Sequence, residues 1–236
     1  MTDNPTIVLV HGAFADSSSW HSVIENLRGQ GYSVLAAANP LRGLATDAAY
    51  VASVLRTIDG PIVLVGHSYG GSVITVAAEG NPNVTALVYI AAFLPDQGES
   101  ALELTGKFPG STLPPTTREA IYPLADGSSA TELYIRQDEF PQQFAADVPA
   151  ATAQQMAVTQ RPVAVAALQE PAAVAAWKSI PSFALLTTED KNIPLEVQRF
   201  MVQRAGATAV ETAASHAVSV SRPDMVSELI VAAVKK

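Results

Sequence analysis

The chain has 236 residues, with 22 Asp and Glu against 14 Lys and Arg (formal net charge −8), 48% hydrophobic and 15% charged residues, and no cysteine. Low charge and abundant apolar residues exclude disorder for most of the chain, and the acidic balance argues against nucleic acid or an anionic membrane surface as the main partner. Without cysteine there is no disulfide, no thiolate nucleophile and no thiolate metal ligand.

The N-terminal Met1-Thr2-Asp3-Asn4-Pro5 lacks a basic region, and the apolar run Ile7 to Val10 is too short for a signal core. No stretch approaches the roughly 20 apolar residues that span a bilayer. The expectation is a cytoplasmic protein that does not contact a membrane. Along the chain, short β-rich apolar runs fall at Thr6–Val10, Ser33–Ala37, Pro61–Val65, Val84–Ala91, Ser182–Thr187 and Ala207–Thr212. Most lack strict alternation, as strands buried on both faces do. Helical segments at Ser19–Arg28, Thr46–Ile58 and Gly70–Glu79 separate the first four, and helices at Pro194–Arg204 and Pro223–Val234 accompany the last two. This alternation predicts an α/β fold, a doubly wound and mostly parallel sheet of about six strands.

One stretch breaks the rhythm. Residues 95–177 separate the fourth strand from the fifth, with a Pro- and Gly-rich first half and helical patches at Pro141–Ala146, Ala150–Thr159 and Val163–Ala176. A structureless loop of that length does not suit a compact domain. The expected organisation is therefore a core of residues 1–94 and 178–236 with 95–177 inserted as a largely helical cap. Its aromatic residues Phe108, Tyr122, Tyr134, Phe140, Phe144 and Trp177 are expected mostly to pack the cap onto the core.

Immediately after the third strand comes Gly66-His67-Ser68-Tyr69-Gly70-Gly71. The pattern G-x-S-x-G between a strand and a helix marks a sharp turn that projects the serine hydroxyl, with the helix's first N–H groups beneath it. A serine hydroxyl needs a base, and the chain has four histidines. His67 is adjacent to Ser68 and points elsewhere, His21 lies on a helix, and His11 closes the first strand, where its ring orders the next loop. His216, in the loop after the last strand, remains as the base. The base needs a carboxylate. Asp190, after the fifth strand, is the first choice, and Asp96, after the fourth, is the competitor. For an oxyanion, the N–H groups of Ala13 (in His11-Gly12-Ala13-Phe14) and Tyr69 are the expected donors, with Phe14 N–H as an alternative register. No metal or other cofactor is required.

These motifs, together with Thr188-Glu189-Asp190-Lys191-Asn192-Ile193-Pro194 and Gln198, resemble the α/β-hydrolase superfamily. Within it the chain is similar to the branch of plant methylesterases and hydroxynitrile lyases and their small bacterial esterase relatives. The resemblance covers roughly residues 5–95 and 178–236. It implies hydrolysis of a small-molecule ester through an acyl-enzyme, with Ser68, Asp190 and His216 as triad and no cofactor. Lyases of this branch carry a lysine after the catalytic histidine and a threonine after the first-strand histidine. Here those positions are Ala217 and Gly12, which disfavours cyanide elimination. The expected activity is carboxylic-ester hydrolysis on small, fairly apolar esters. The alternatives are a non-catalytic small-molecule binding protein on the same scaffold and a lyase or C–C hydrolase of the superfamily.

Overall fold

The computed structural model describes residues 4–236. Strand–helix pairs open the chain: β1 (Thr6–Val10), α1 (His21–Gly29), β2 (Val34–Ala37), α2 (Leu44–Leu55), β3 (Ile62–His67), α3 (Tyr69–Ala77) and β4 (Val84–Ile90). An excursion follows, with α4 (Ala101–Thr105), β5 (Thr117–Pro123), β6 (Ser129–Ile135), α5 (Phe140–Phe144), α6 (Ala150–Thr159), β7 (Val163–Ala164) and α7 (Val165–Gln169). The chain then returns through β8 (Ser182–Thr187), α8 (Leu195–Ala205), β9 (Thr208–Thr212), α9 (Val218–Ser221) and α10 (Pro223–Val234).

The six-stranded sheet runs β2-β1-β3-β4-β8-β9, and all five strand pairings are parallel. Its architecture agrees with the sequence expectation. Successive side chains of a strand point to opposite faces, and β1 uses both: Val8 and Val10 enter one core with α2, α3 and α8, whereas Ile7 and Leu9 enter another with α1 and α10. Strand order reverses direction at β1 and β3, so the loops that leave their C-terminal ends diverge and open a crevice.

The excursion differs from the expected helical patches in two places. Its Pro- and Gly-rich first half contains an antiparallel hairpin, β5 with β6, to which β7 adds a third strand. The turn is Asp126-Gly127, with Gly127 at φ 85°, a common hairpin signal flanked by Ile121, Tyr122, Thr131, Leu133 and Tyr134. The stretch Val163–Ala176, expected as helix, is helical only over Val165–Gln169, because Pro171 disfavours helical backbone at Glu170, which is extended. Phe140, Phe144, Val148 and Ala157 are buried in the same continuous core as β1 and β3. Among the described residues, no helix is long and apolar enough to cross a membrane.

Candidate active site

Ser68 stands between β3 and α3 with φ 54° and ψ −124°, a conformation that strongly disfavours residues with a side chain. The turn closes only because its neighbours lack side chains. A Cβ on Gly70 would meet the Val10 carbonyl oxygen at 2.4 Å, and one on Gly12 would meet the Ser68 Cβ at 2.6 Å. The Ser68 carbonyl accepts from the N–H groups of Gly71 (2.9 Å) and Phe93 (3.1 Å), which ties the turn to the chain leaving β4.

The Ser68 hydroxyl lies 2.8 Å from His216 Nε2, and His216 Nδ1 lies 2.7 Å from Asp190 Oδ2. A carboxylate only accepts, so Nδ1 carries the proton and Nε2 is free to accept from the serine. The side chains of His216 and Asp190 are almost wholly buried. Asp190 also accepts from the N–H groups of Asn192 (2.8 Å) and Ile193 (3.0 Å), the Thr187 hydroxyl (3.0 Å) and Gln198 Nε2 (3.3 Å). These donors hold the carboxylate's orientation. Thr187 and Asn192 have no prior signal as orienting residues, since a short polar residue in a loop reads as a turn former.

Four further histidine and aspartate placements sort the remaining candidates. His67, wholly buried between Trp20, Phe144 and His216, donates from Nε2 to the His216 carbonyl at 2.8 Å. Burial and then the neighbouring His216 push its pKa down to about 3, so it is neutral at physiological pH. His11 donates from Nδ1 to the Gly12 carbonyl and accepts the Asn39 N–H at Nε2, which fixes the loop after β1. His21 opens α1 with its side chain exposed. Asp96 pairs with Lys178 near the surface, and that partner holds its carboxyl below the usual range. Asp96 therefore does not contact His216.

Ala13 and Tyr69 both line the cavity beside Ser68, and neither backbone N–H has an acceptor among the described residues. The Phe14 N–H donates to the Arg161 carbonyl at 3.1 Å, which occupies the alternative donor. The Tyr69 hydroxyl bonds the buried Asp47 at 2.9 Å, a pair the sequence did not signal. Burial raises the carboxyl of Asp47, and burial with the adjacent Asp47 raises the phenol of Tyr69.

The cavity at Ser68 has a volume of about 270 Å³. Its outer wall comes from the excursion, through Leu102, Leu113, Leu133, Val165 and Leu168, with Glu119 as the one charged side chain besides the buried site. None of the six aromatic residues of the excursion lines it. Phe144 instead packs edge-on against the His216 ring, with centroids 4.9 Å apart, and its carbonyl accepts the Ala217 N–H. No cluster of three or more His, Asp or Glu side chains among the described residues is arranged to hold a metal ion.

A family model described as the alpha/beta hydrolase family matches residues 7–229. The chain belongs to the alpha/beta hydrolase family. It is 36% identical over 121 residues to the carbendazim hydrolyzing esterase of a Nocardioides species, a match that spans 46% of this chain and 48% of that relative. It is 26% identical over 219 residues to methylesterase 1 of Arabidopsis thaliana, covering 83% of this chain and 82% of that one. A crystal structure of polyneuridine aldehyde esterase shares the fold at a TM-score of 0.83 with 20% identity, covering 98% of this chain and 99% of that one. The resemblance to plant methylesterases and bacterial esterases thus holds across this alpha/beta hydrolase, and its named relatives support a carboxylesterase-type enzyme.

Proposed function

We propose that the protein is a serine carboxylesterase acting on small, fairly apolar esters, with Ser68 as nucleophile, His216 as base and Asp190 as acid. The observation that carries the reading is the unbroken hydrogen-bonded chain from the Ser68 hydroxyl through His216 to Asp190, at 2.8 and 2.7 Å. In this mechanism Nε2 of His216 takes the serine proton as Oγ attacks the ester carbonyl carbon. Asp190 holds the Nδ1 proton and stabilises the imidazolium. The carbonyl oxygen becomes an oxyanion, held by the N–H groups of Ala13 and Tyr69. The intermediate then collapses, the bond from the carbonyl carbon to the alkoxide breaks, the alkoxide leaves as the alcohol with the proton from His216, and the acyl group remains on Ser68 Oγ. Water, deprotonated by His216, attacks that acyl group, and Ser68 regains its proton as the carboxylic acid is released. Residues 95–177 serve as the cap that walls the pocket.

The aliphatic cap wall supports the apolar substrate class, since orienting polar groups are few. Each buried methylene of an acyl chain contributes about 0.8 kcal/mol until the cavity is full. Specificity (kcat/KM) on nitrophenyl esters is expected to rise from acetyl to about butyryl or hexanoyl and to fall for longer chains. A maximum at dodecanoyl or beyond contradicts the enclosed pocket. Replacing Ser68 with alanine is expected to lower turnover by about 10⁴ to 10⁶ while the fold stays intact.

A further inference from the structure

Phe14 borders two cavities. On one side is the apolar cavity at Ser68, and on the other is a cleft of about 300 Å³ between the start of α1 and the helix α6. The two differ in chemistry. The cleft presents the exposed Ser18 and Gln155 and the half-buried Thr152, whose side chains make no hydrogen bond within the described residues and face solvent. Among the described residues it is lined by no carboxylate, lysine or arginine, and His21 is the one titratable side chain. The short helix α9, just after His216, joins the same cleft through Val220.

Phe14, common to both linings, stands on a strained backbone. Its φ is 59°, and the residue is only 4% exposed. A side chain at positive φ is disfavoured relative to glycine. The Arg161 carbonyl holds the Phe14 N–H at 3.1 Å, which ties the backbone at this corner to the excursion. A glycine would turn this corner without strain.

We infer that Phe14 is a specificity-determining wall that closes the catalytic pocket off from a polar subsite suited to an uncharged, hydroxyl- or amide-bearing arm of an ester. This rests on the serine-esterase reading. With the ring in place, substrates are confined to the apolar cavity. With the ring removed, one arm of the ester reaches Ser18, Thr152 and Gln155.

The test measures kcat/KM for two pairs of substrates in wild type, Phe14→Gly and Phe14→Ala. The alcohol arm is read from methyl butyrate against glyceryl monobutyrate, and the acyl arm from nitrophenyl hexanoate against nitrophenyl 6-hydroxyhexanoate. In one arm the ratio of hydroxylated to plain substrate is expected to rise by about tenfold or more in the opened variants, the scale set by a few pocket contacts. Adding Gln155→Trp, which fills the cleft, is expected to reverse that gain. The alanine variant keeps a β-carbon and so serves if the glycine variant folds poorly. Ratios that stay at the wild-type value in both arms overturn the inference. So does a gain that Gln155→Trp leaves in place, since the added room then lies in the apolar cavity. A wild type that turns over no ester, and whose Ser68 reacts with no phosphonate, overturns the esterase reading and this inference with it. An active wild type with unmoved ratios overturns the role of Phe14 alone.

Discussion

Where the strands of the parallel sheet begin, the chain turns on glycine, and where they end it turns on residues with side chains. Gly31, Gly60, Gly80 and Gly206 precede β2, β3, β4 and β9 at φ between 62° and 87°, and a Cβ on any of them would meet nothing within 4 Å. Phe14, Leu41, Ser68 and Ala91 follow β1, β2, β3 and β4 at φ between 44° and 61°. Each of these four destabilises by about 1–2 kcal/mol relative to glycine. Most are braced by tertiary contacts: Phe14 by Arg161, Leu41 by the Ala164 N–H on its carbonyl, and Ser68 by Phe93. The first edge only reverses the chain. The second edge positions groups, and strain gathers there because a serine hydroxyl, a ring and two free N–H groups must face one small space.

The comparison breaks most visibly in activity. Asp190→Asn is expected to lower kcat by about 10⁴, because an amide favours the wrong His216 tautomer. Asp96→Asn, which removes only a partner of Lys178, is expected to change it less than threefold, about the scale of a surface ion pair. Steady-state kinetics on a nitrophenyl ester separates the two, and reversed outcomes would move the acid to the end of β4.

In stability, Gly70→Ala at the crowded edge is expected to cost about 3 kcal/mol, since its Cβ would strike the Val10 carbonyl. Gly80→Ala at the open edge, with its φ of 69°, is expected to cost about 1 kcal/mol. Urea unfolding measures both. Equal losses would mean that the two edges are packed alike.

His67 sharpens the comparison through pH. Its unfolded pKa is near 6.5 and its folded pKa is about 3. Between those values the unfolded chain binds the proton and the native one does not, so this contribution to stability is present above pH 6.5 and is lost as pH falls. At pH 5 the loss amounts to about 2 kcal/mol. Asp47, whose carboxyl burial raises, acts in the opposite sense. The His67 share is therefore read by difference: His67→Gln is expected to flatten the loss of unfolding free energy between pH 7 and pH 5. A variant with the wild-type slope would show that His67 is not the buried neutral group described.

The ending edge was also the more legible from sequence. Runs such as Ile62–Val65 are apolar throughout and bounded by glycine, so their buried strands read directly, and Gly66-His67-Ser68-Tyr69-Gly70 names its own turn. Elimination among four histidines reached His216. The excursion was less legible because its pattern is mixed. Glu119 and Glu132 interrupt β5 and β6, and Glu132 is buried only because Arg42 meets it at 2.6 Å across about 90 residues of sequence. The Ala-rich run after Val163 favours helix locally, yet Pro171 and the pairing of β7 with β6 override it. The pocket wall could not be read at all, since Leu102, Leu113, Leu133 and Val165 converge only in the folded chain. The proposal of Ala13 rather than Phe14 as donor rests on one long-range bond, that from the Phe14 N–H to the Arg161 carbonyl, which no local pattern signals.

The most direct test of the account is covalent labelling of Ser68 by a fluorophosphonate, located by peptide mapping. The account predicts one label per chain, on Ser68, absent in Ser68→Ala and slowed by about 10⁴ in Asp190→Asn. A folded protein that takes no label, carries it on another serine, or labels Ser68 at an unchanged rate without Asp190 would contradict it.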